Sequence, residues 1–263
     1  MARAIWKGVL KLGKTNLPVK LYSAIKDRTV HFNLLEERTL ARVKQRLVDP
    51  ESGDEVPSDQ VRKGYEVEPG TFVLLEEKDL AELEPEPSRD IEITRFVKAG
   101  AINQQWYERP YYLGPDGADA EDYFALAEAM QKRECEGIAQ WVMRKAEYVG
   151  ALCPTDGYLM LITLRHAEEV LSAADLPTLS GRAIDAKERA IAQQLIAALE
   201  EDFQPEEFHD EYRERVMKHI EAKARGQKPR LNVVARKPQG GSLSDMLAKS
   251  LKAVKSQKGK AAA

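Results

Sequence analysis

The chain has 263 residues, 43% of them hydrophobic, and 40 Lys and Arg set against 43 Asp and Glu give a net charge of −3. That length can bury a substantial core and still carry an appendage. No apolar run is long enough to span a bilayer, and residues 1–7 have no signal-peptide core behind them, so a cytoplasmic protein without membrane contact is expected. Cys135 and Cys153 form no Cys-x-x-Cys pair, and two cysteines make no disulfide framework, so both are expected as free thiols. His31, His166, His209 and His219 show no metal-ligand spacing, and neither a metal nor another cofactor is expected.

Residues 4–13 alternate apolar and basic side chains in the two-residue period of a strand with one wet face, and residues 17–22 carry the pattern into a second strand. An N-terminal hairpin follows, in which Pro18 confines its strand to an edge, a bulge or a first residue. The same stretch also fits a nucleotide-binding pattern. Gly8 to Thr15 reads G-x-x-x-x-G-K-T, the loop whose backbone N–H groups and lysine cradle phosphates. Against that, only seven residues precede Gly8, two of them charged (Arg3 and Lys7), and Pro18 falls where a following helix needs its first hydrogen bonds. Residues 72–76 are an acid-terminated apolar string that could be enlisted for a metal, though such strings are common.

Arg42, Lys44 and Arg46 recur at period two, with Ala41, Val43 and Leu47 at the alternate positions, which predicts a strand with a continuous basic face. Such a face suits a phosphate backbone; a solvated edge strand that resists aggregation is the other reading. Residues 50–53 close a hairpin, residues 71–76 and 90–97 read as strands, and a short acidic helix is expected near 78–83. A helix is predicted over 119–132 with Asp119 as its N-cap. Strands follow over 138–144, ending in Arg144 and Lys145, and over 158–164, which reads as buried.

In the C-terminal third the period changes from two to 3.6. Asp185 and Glu188 have capping-box spacing, and Ile191, Leu195 and Leu199 share a helix face. A second helix is expected to start with Pro205 in its first turn and stop at Gly226. Phe208, Tyr212, Val216 and Ile220 would form its apolar stripe, with Glu211–Arg215 and Glu214–Lys218 as i,i+4 ion pairs. From Lys223 onward eleven Lys and Arg face one acid, Asp245, so the tail carries +10 and residues 1–222 carry −13. A basic tail on an acidic body fits a nucleic-acid arm, or else a merely solvated terminus. Within it Leu243, Met246, Leu247, Leu251 and Val254 fall on one face of a helix too short to hold without packing.

Residues 4–22, the segment Arg62-Lys63-Gly64-Tyr65 and the string from Phe203 to Tyr212 resemble the signatures of the bacterial Ku proteins, DNA end-binding factors of non-homologous end joining. The likeness runs along nearly the whole chain. It departs at Lys14 and Thr15, which stand where apolar residues are usual and so create the nucleotide-loop pattern. The resemblance implies an α+β fold: a Ku-type antiparallel β-barrel core with a DNA-encircling bridge over residues 1–180, a helical C-terminal arm over 181–226 and a flexible basic tail over 227–263. It implies sequence-independent binding of double-stranded DNA ends by a ring-shaped homodimer, no catalysis, a nucleoid-associated location, and recruitment of the ATP-dependent multifunctional DNA ligase (ligase D type) of bacteria. Candidate DNA contacts are Lys11, Lys14, Lys20, Arg42, Lys44, Arg46, Arg62, Lys63, Arg144, Lys145, Lys249, Lys252 and Lys255; candidate partner contacts are Phe203, Phe208 and Tyr212. A P-loop nucleotide-binding enzyme and a histone-like DNA-packaging protein are the competing readings.

Overall fold

The N-terminal alternation folds as expected into a hairpin, β1 (Trp6–Leu12) and β2 (Thr15–Ser23), in which Leu10, Leu17, Val19 and Leu21 are buried while Lys7 stays exposed. The computed structural model describes residues 3–117, 120–177, 185–226 and 247–252. The chain divides into two compact units at Asp175/Leu176.

In the first unit the hairpin is followed by β3 (Lys63–Glu68), β4 (Thr71–Leu75), α1 (Glu77–Glu82), β5 (Asp90–Lys98), β6 (Tyr107–Pro115), α2 (Glu121–Lys132), β7 (Cys135–Met143), β8 (Ala146–Thr155) and β9 (Tyr158–Leu164). Seven strands close a barrel in the order β1-β2-β6-β9-β8-β7-β5. Every junction is antiparallel except the closing one, where Val9 to Lys11 of β1 run parallel to Asp90 to Glu92 of β5. Closure leaves the barrel without a free edge. Its core is aliphatic, with Leu10, Leu21, Ile91, Leu113, Leu152, Leu159 and Leu161 wholly buried. Each such side chain contributes roughly 1.5–3 kcal/mol on leaving water.

Pro18 sits inside an interior strand rather than on an edge. Its carbonyl accepts from Asp116 N–H at 2.9 Å, so its nitrogen also faces β6, just beyond the last paired residues, Val19 and Pro115. The missing N–H therefore removes one bond only at the end of the β2–β6 ladder and leaves the pairing with β1 untouched. Two glycines allow close approaches: a Cβ at Gly8 would stand 2.2 Å from the Trp6 ring, and one at Gly150 would stand 2.7 Å from both Ile162 O and the Trp141 ring.

Helix α2 packs Tyr123, Ala127 and Met130 into the core. The Tyr123 hydroxyl donates to Leu113 O and accepts from Leu159 N–H at 2.8 Å, tying β6 to β9, and its burial pushes the phenol up to about 12. The N-cap of α2 is Ala120, with no side-chain cap; the predicted cap, Asp119, lies outside the described residues.

Between β2 and β3 the expected basic strand does not form. Arg42, Lys44 and Arg46 lie in irregular chain that makes only isolated bridges, Leu35 with Arg42 and Val48 with Glu55. Carboxylates take the backbone donors locally: Glu36 accepts from Arg38 and Thr39 N–H, and Asp49 from Glu51 and Ser52 N–H. Such side-chain closures compete with ladder formation.

In the second unit α3 (Ala186–Leu199) begins with the predicted capping box, Asp185 Oδ1 accepting from Glu188 N–H at 2.8 Å. Ile191 and Leu195 are half-buried on it, but Leu199 is exposed. Pro205 opens a separate 3-10 turn, and α4 (Glu211–Ala224) starts later, where the Asp210 carboxylate accepts from Arg213 N–H at 2.9 Å. The half-buried face of α4 carries Val216 and Met217, so the predicted stripe splits, with Phe208, Tyr212 and Ile220 left exposed. Glu214–Lys218 forms at 3.9 Å; Glu211–Arg215 is absent from the ion pairs of the described residues. Gly226 ends the helix at φ 73°, as expected.

Candidate nucleic-acid interface

The hairpin lysines stand among acids. Lys7 and Lys20 face each other across β1 and β2 and share the Asp116 carboxylate at 2.9 and 2.5 Å, while Lys11 pairs with Asp90 at 2.5 Å. The hydrogen bond to Asp116 raises Lys20 above its ordinary value, and Lys20 and then Lys7 hold Asp116 below the usual carboxylate range. Lys14 projects from the two-residue β1–β2 turn, next to Gly13 at φ 58°. The eight residues of the nucleotide-loop pattern are thus two paired strands and their turn, with strand instead of helix after Thr15. Their N–H groups belong to a ladder and form no phosphate nest.

In the region from β2 to β4, Arg42 and Lys44 are exposed and make no ion pair among the described residues, whereas Arg46 is held by Glu55. Arg62 donates to the carbonyls of Asp59 and Val61, and Lys63 opens β3. Among the described residues β3 and β4 pair only with each other. Their apolar residues look outward on both faces, Tyr65 opposite Val73 on one and Phe72 with Leu74 on the other, with Tyr65 68% and Leu74 69% exposed. A lone two-stranded hairpin is marginal in water. Sequence reasoning missed this surface because the same alternation marks a strand whether or not anything covers it.

Arg144 and Lys145 are not along a strand but in the two-residue turn between β7 and β8, both at positive φ (52° and 67°). Lys145 meets Glu84 at 2.9 Å, and Arg144 has no ion pair among the described residues. Lys249 and Lys252 are exposed on a helical segment over 247–252; Lys255 lies outside the described residues, as do Leu243, Met246 and Val254. In the second unit Phe203 and Phe208 stack at 5.4 Å and are 77% and 71% exposed, with Tyr212 exposed nearby in sequence. Seven carboxylates and no Lys or Arg occupy residues 200–211, which makes this an acidic, aromatic surface.

Cys135 and Cys153 are free, and burial pushes the Cys153 thiol up to about 12. The nearby Tyr107 hydroxyl donates to Glu136 at 2.7 Å and is itself raised, chiefly by burial. No helix among the described residues is long and apolar enough to cross a membrane.

The model of the Ku70/Ku80 β-barrel domain matches residues 11–196. The chain belongs to the Ku family. Relatives named non-homologous end joining protein Ku are 38% identical over 226 residues in Coxiella burnetii, covering 84% of this chain and 82% of that protein, and 38% identical over 259 residues in an Anaeromyxobacter species, covering 97% and 87%. The Archaeoglobus fulgidus Ku protein is 35% identical over 254 residues, 96% of this chain and all of that one. The Ku match takes in the barrel from the end of β1 onward, the β3–β4 hairpin and most of α3.

Proposed function

We propose that the chain binds the ends of double-stranded DNA without sequence preference, as a ring-shaped homodimer acting in double-strand break repair by non-homologous end joining. It acts as a scaffold rather than an enzyme, in the nucleoid. The observation that carries this is membership of the Ku family combined with the β3–β4 hairpin, whose outward apolar faces a second copy would cover. Arg42, Lys44, Arg62 and Lys63, all exposed, then line the opening, where cations recognise phosphate and not base edges. Lys14, Arg144 and the tail lysines add to the basic surface; Lys11, Lys20, Arg46 and Lys145 contribute less because acids already hold them. The ATP-dependent multifunctional ligase docks on the acidic surface of Phe203, Phe208 and Tyr212.

Retention on DNA tests the ring. Linear duplex is held and covalently closed circles of the same sequence are not, once salt suppresses non-specific attraction; equal retention of circles would leave a histone-like packaging protein as the better account. Lys14→Ala leaves nucleotide behaviour unchanged, and saturable ATP binding by the unaltered protein would revive the enzyme reading. Replacing Phe203 and Phe208 by Ala abolishes stimulation of the ligase while leaving DNA retention intact; undiminished stimulation would move the ligase contact elsewhere.

A further inference from the structure

The bulge in β5 between Ile93 and Arg95 shifts the phase of the strand. Ile91 and Ile93 precede it and are buried; after it Phe96 and Lys98 take the positions opposite Gly137 and Cys135 of β7. Helix α2 reaches the same place with Ala129 and Met130 and ends at its C-cap, Arg133. Between helix and strands lies an open cleft of about 520 Å³. Its floor is apolar: Met130 is 2% exposed, and the half-buried Cys135 thiol reaches only the Met130 carbonyl, at 3.8 Å. The Phe96 ring stands 41% exposed at the rim.

The two charged residues lining it are both cations, Lys98 and Arg133, and neither makes an ion pair among the described residues. This holds although residues 1–222 carry an excess of thirteen negative charges. Of the acids nearest in sequence, Glu134 is exposed and is not among the lining residues, Glu128 is held by Lys132, and Glu136 accepts from Tyr107 and from Gly100 N–H. A phosphate backbone would gain nothing from a buried methionine and an aromatic rim. A side chain would, since pockets of this size take drug-sized apolar groups and anchor residues dominate protein interfaces.

We propose that this cleft docks an acidic segment of a partner protein, one large apolar side chain seated on its floor while flanking carboxylates meet Lys98 and Arg133. Charge complementarity selects the acidic flanks, and the apolar floor selects the anchor. The inference is independent of how DNA is bound.

Fluorescence anisotropy with the full-length protein at low ionic strength tests it. The probes are a fluorescein-labelled peptide of sequence EEDFEE, the same peptide with Ser for its Phe, KKKFKK, and a peptide of this chain's residues 200–209. EEDFEE should bind saturably, with both the Ser and the lysine versions at least tenfold weaker. Lys98→Glu with Arg133→Glu should weaken it at least tenfold, and so should Ala129→Trp, which covers the apolar floor from an exposed helix position; unchanged melting transitions confirm that the variants fold, and Lys98→Gln with Arg133→Gln replaces any that do not. No saturable binding of EEDFEE, equal binding of the Ser peptide, or full affinity in the charge-altered and Trp variants overturns the proposal. Binding of the 200–209 peptide at least tenfold tighter than EEDFEE would make the occupant a second copy of the chain and overturn the assignment to another protein.

Discussion

The barrel and the region from β2 to β4 are built from the same materials, short strands that alternate apolar and charged residues, yet they end in opposite states. In the barrel each strand has two neighbours, and the alternation buries one residue in two: Leu10, Val19 and Leu21 are wholly enclosed. In the hairpin each strand has one neighbour and none lies across the sheet, so Tyr65, Phe72 and Leu74 stay in water. Periodicity says which residues could share a face; the number of neighbours decides whether that face is buried.

The sharpest way to break this contrast is a pair of glycine substitutions. Gly150→Val drives a side chain into Ile162 O and the Trp141 ring, and overpacking of this kind costs about 1–3 kcal/mol or more. Calorimetry should show a melting temperature lower by roughly 2–4 °C per kcal/mol. Gly64→Ala in the hairpin meets only Phe72, at 3.6 Å, and should leave the transition in place. Equal losses would mean that the hairpin is as tightly packed as the barrel.

Next comes Tyr123→Phe, which strips a buried acceptor and donor from Leu159 N–H and Leu113 O and should cost about 1–3 kcal/mol by denaturant unfolding. Tyr65→Phe should stay within about 0.5 kcal/mol. Neutralising Arg42 and Lys44 to Gln should flatten the log-log salt dependence of DNA binding by about 0.9 per contact, roughly 1.8 together, while Arg46→Gln changes it less because Glu55 already holds that guanidinium. An unchanged slope would put the segment away from DNA.

The smallest effect is acidic. Hydrogen bonds from Thr39 and Arg38 hold Glu36 below the usual carboxylate range, and those from Glu51 and Ser52 do the same for Asp49. Both are depressed in the folded state, so their contribution is complete above the ordinary carboxylate pKa of about 4 and fades as pH falls through the lower folded value. The protection factors of the Thr39 and Ser52 amides should fall there, while that of Leu159 N–H in the barrel is unaffected. Loss of protection at both places together would mean one cooperative unit.

Much of the fold was legible in local pattern. β9 falls on the predicted residues 158–164, and β5 and the Asp185 capping box also stand where patterning put them, because each depends on its own few residues. What misled were patterns that need a distant partner. Arg42, Lys44 and Arg46 alternate like a strand but find no continuous partner, only the single Leu35–Arg42 bridge, and the apolar stripe expected on α4 splits because Phe208 precedes the helix, which starts only at Glu211. The G-x-x-x-x-G-K-T match was formed by residues that serve a hairpin turn. The parallel β1–β5 closure left no local mark, since it joins residues some eighty positions apart. At the candidate interface sequence found the cations, but only the structure shows Asp116, Asp90, Glu55 and Glu84 already holding several of them.

The central claim is that the barrel stands alone whereas the β3–β4 hairpin needs a second copy. Hydrogen exchange across a dilution series, run beside sedimentation, tests it most directly. Barrel amides such as Leu159 N–H should stay protected at every concentration, while those of Tyr65, Val73 and Leu75 should lose protection in step with dissociation of the dimer. Protection of the hairpin that persists in a sedimenting monomer would contradict the account.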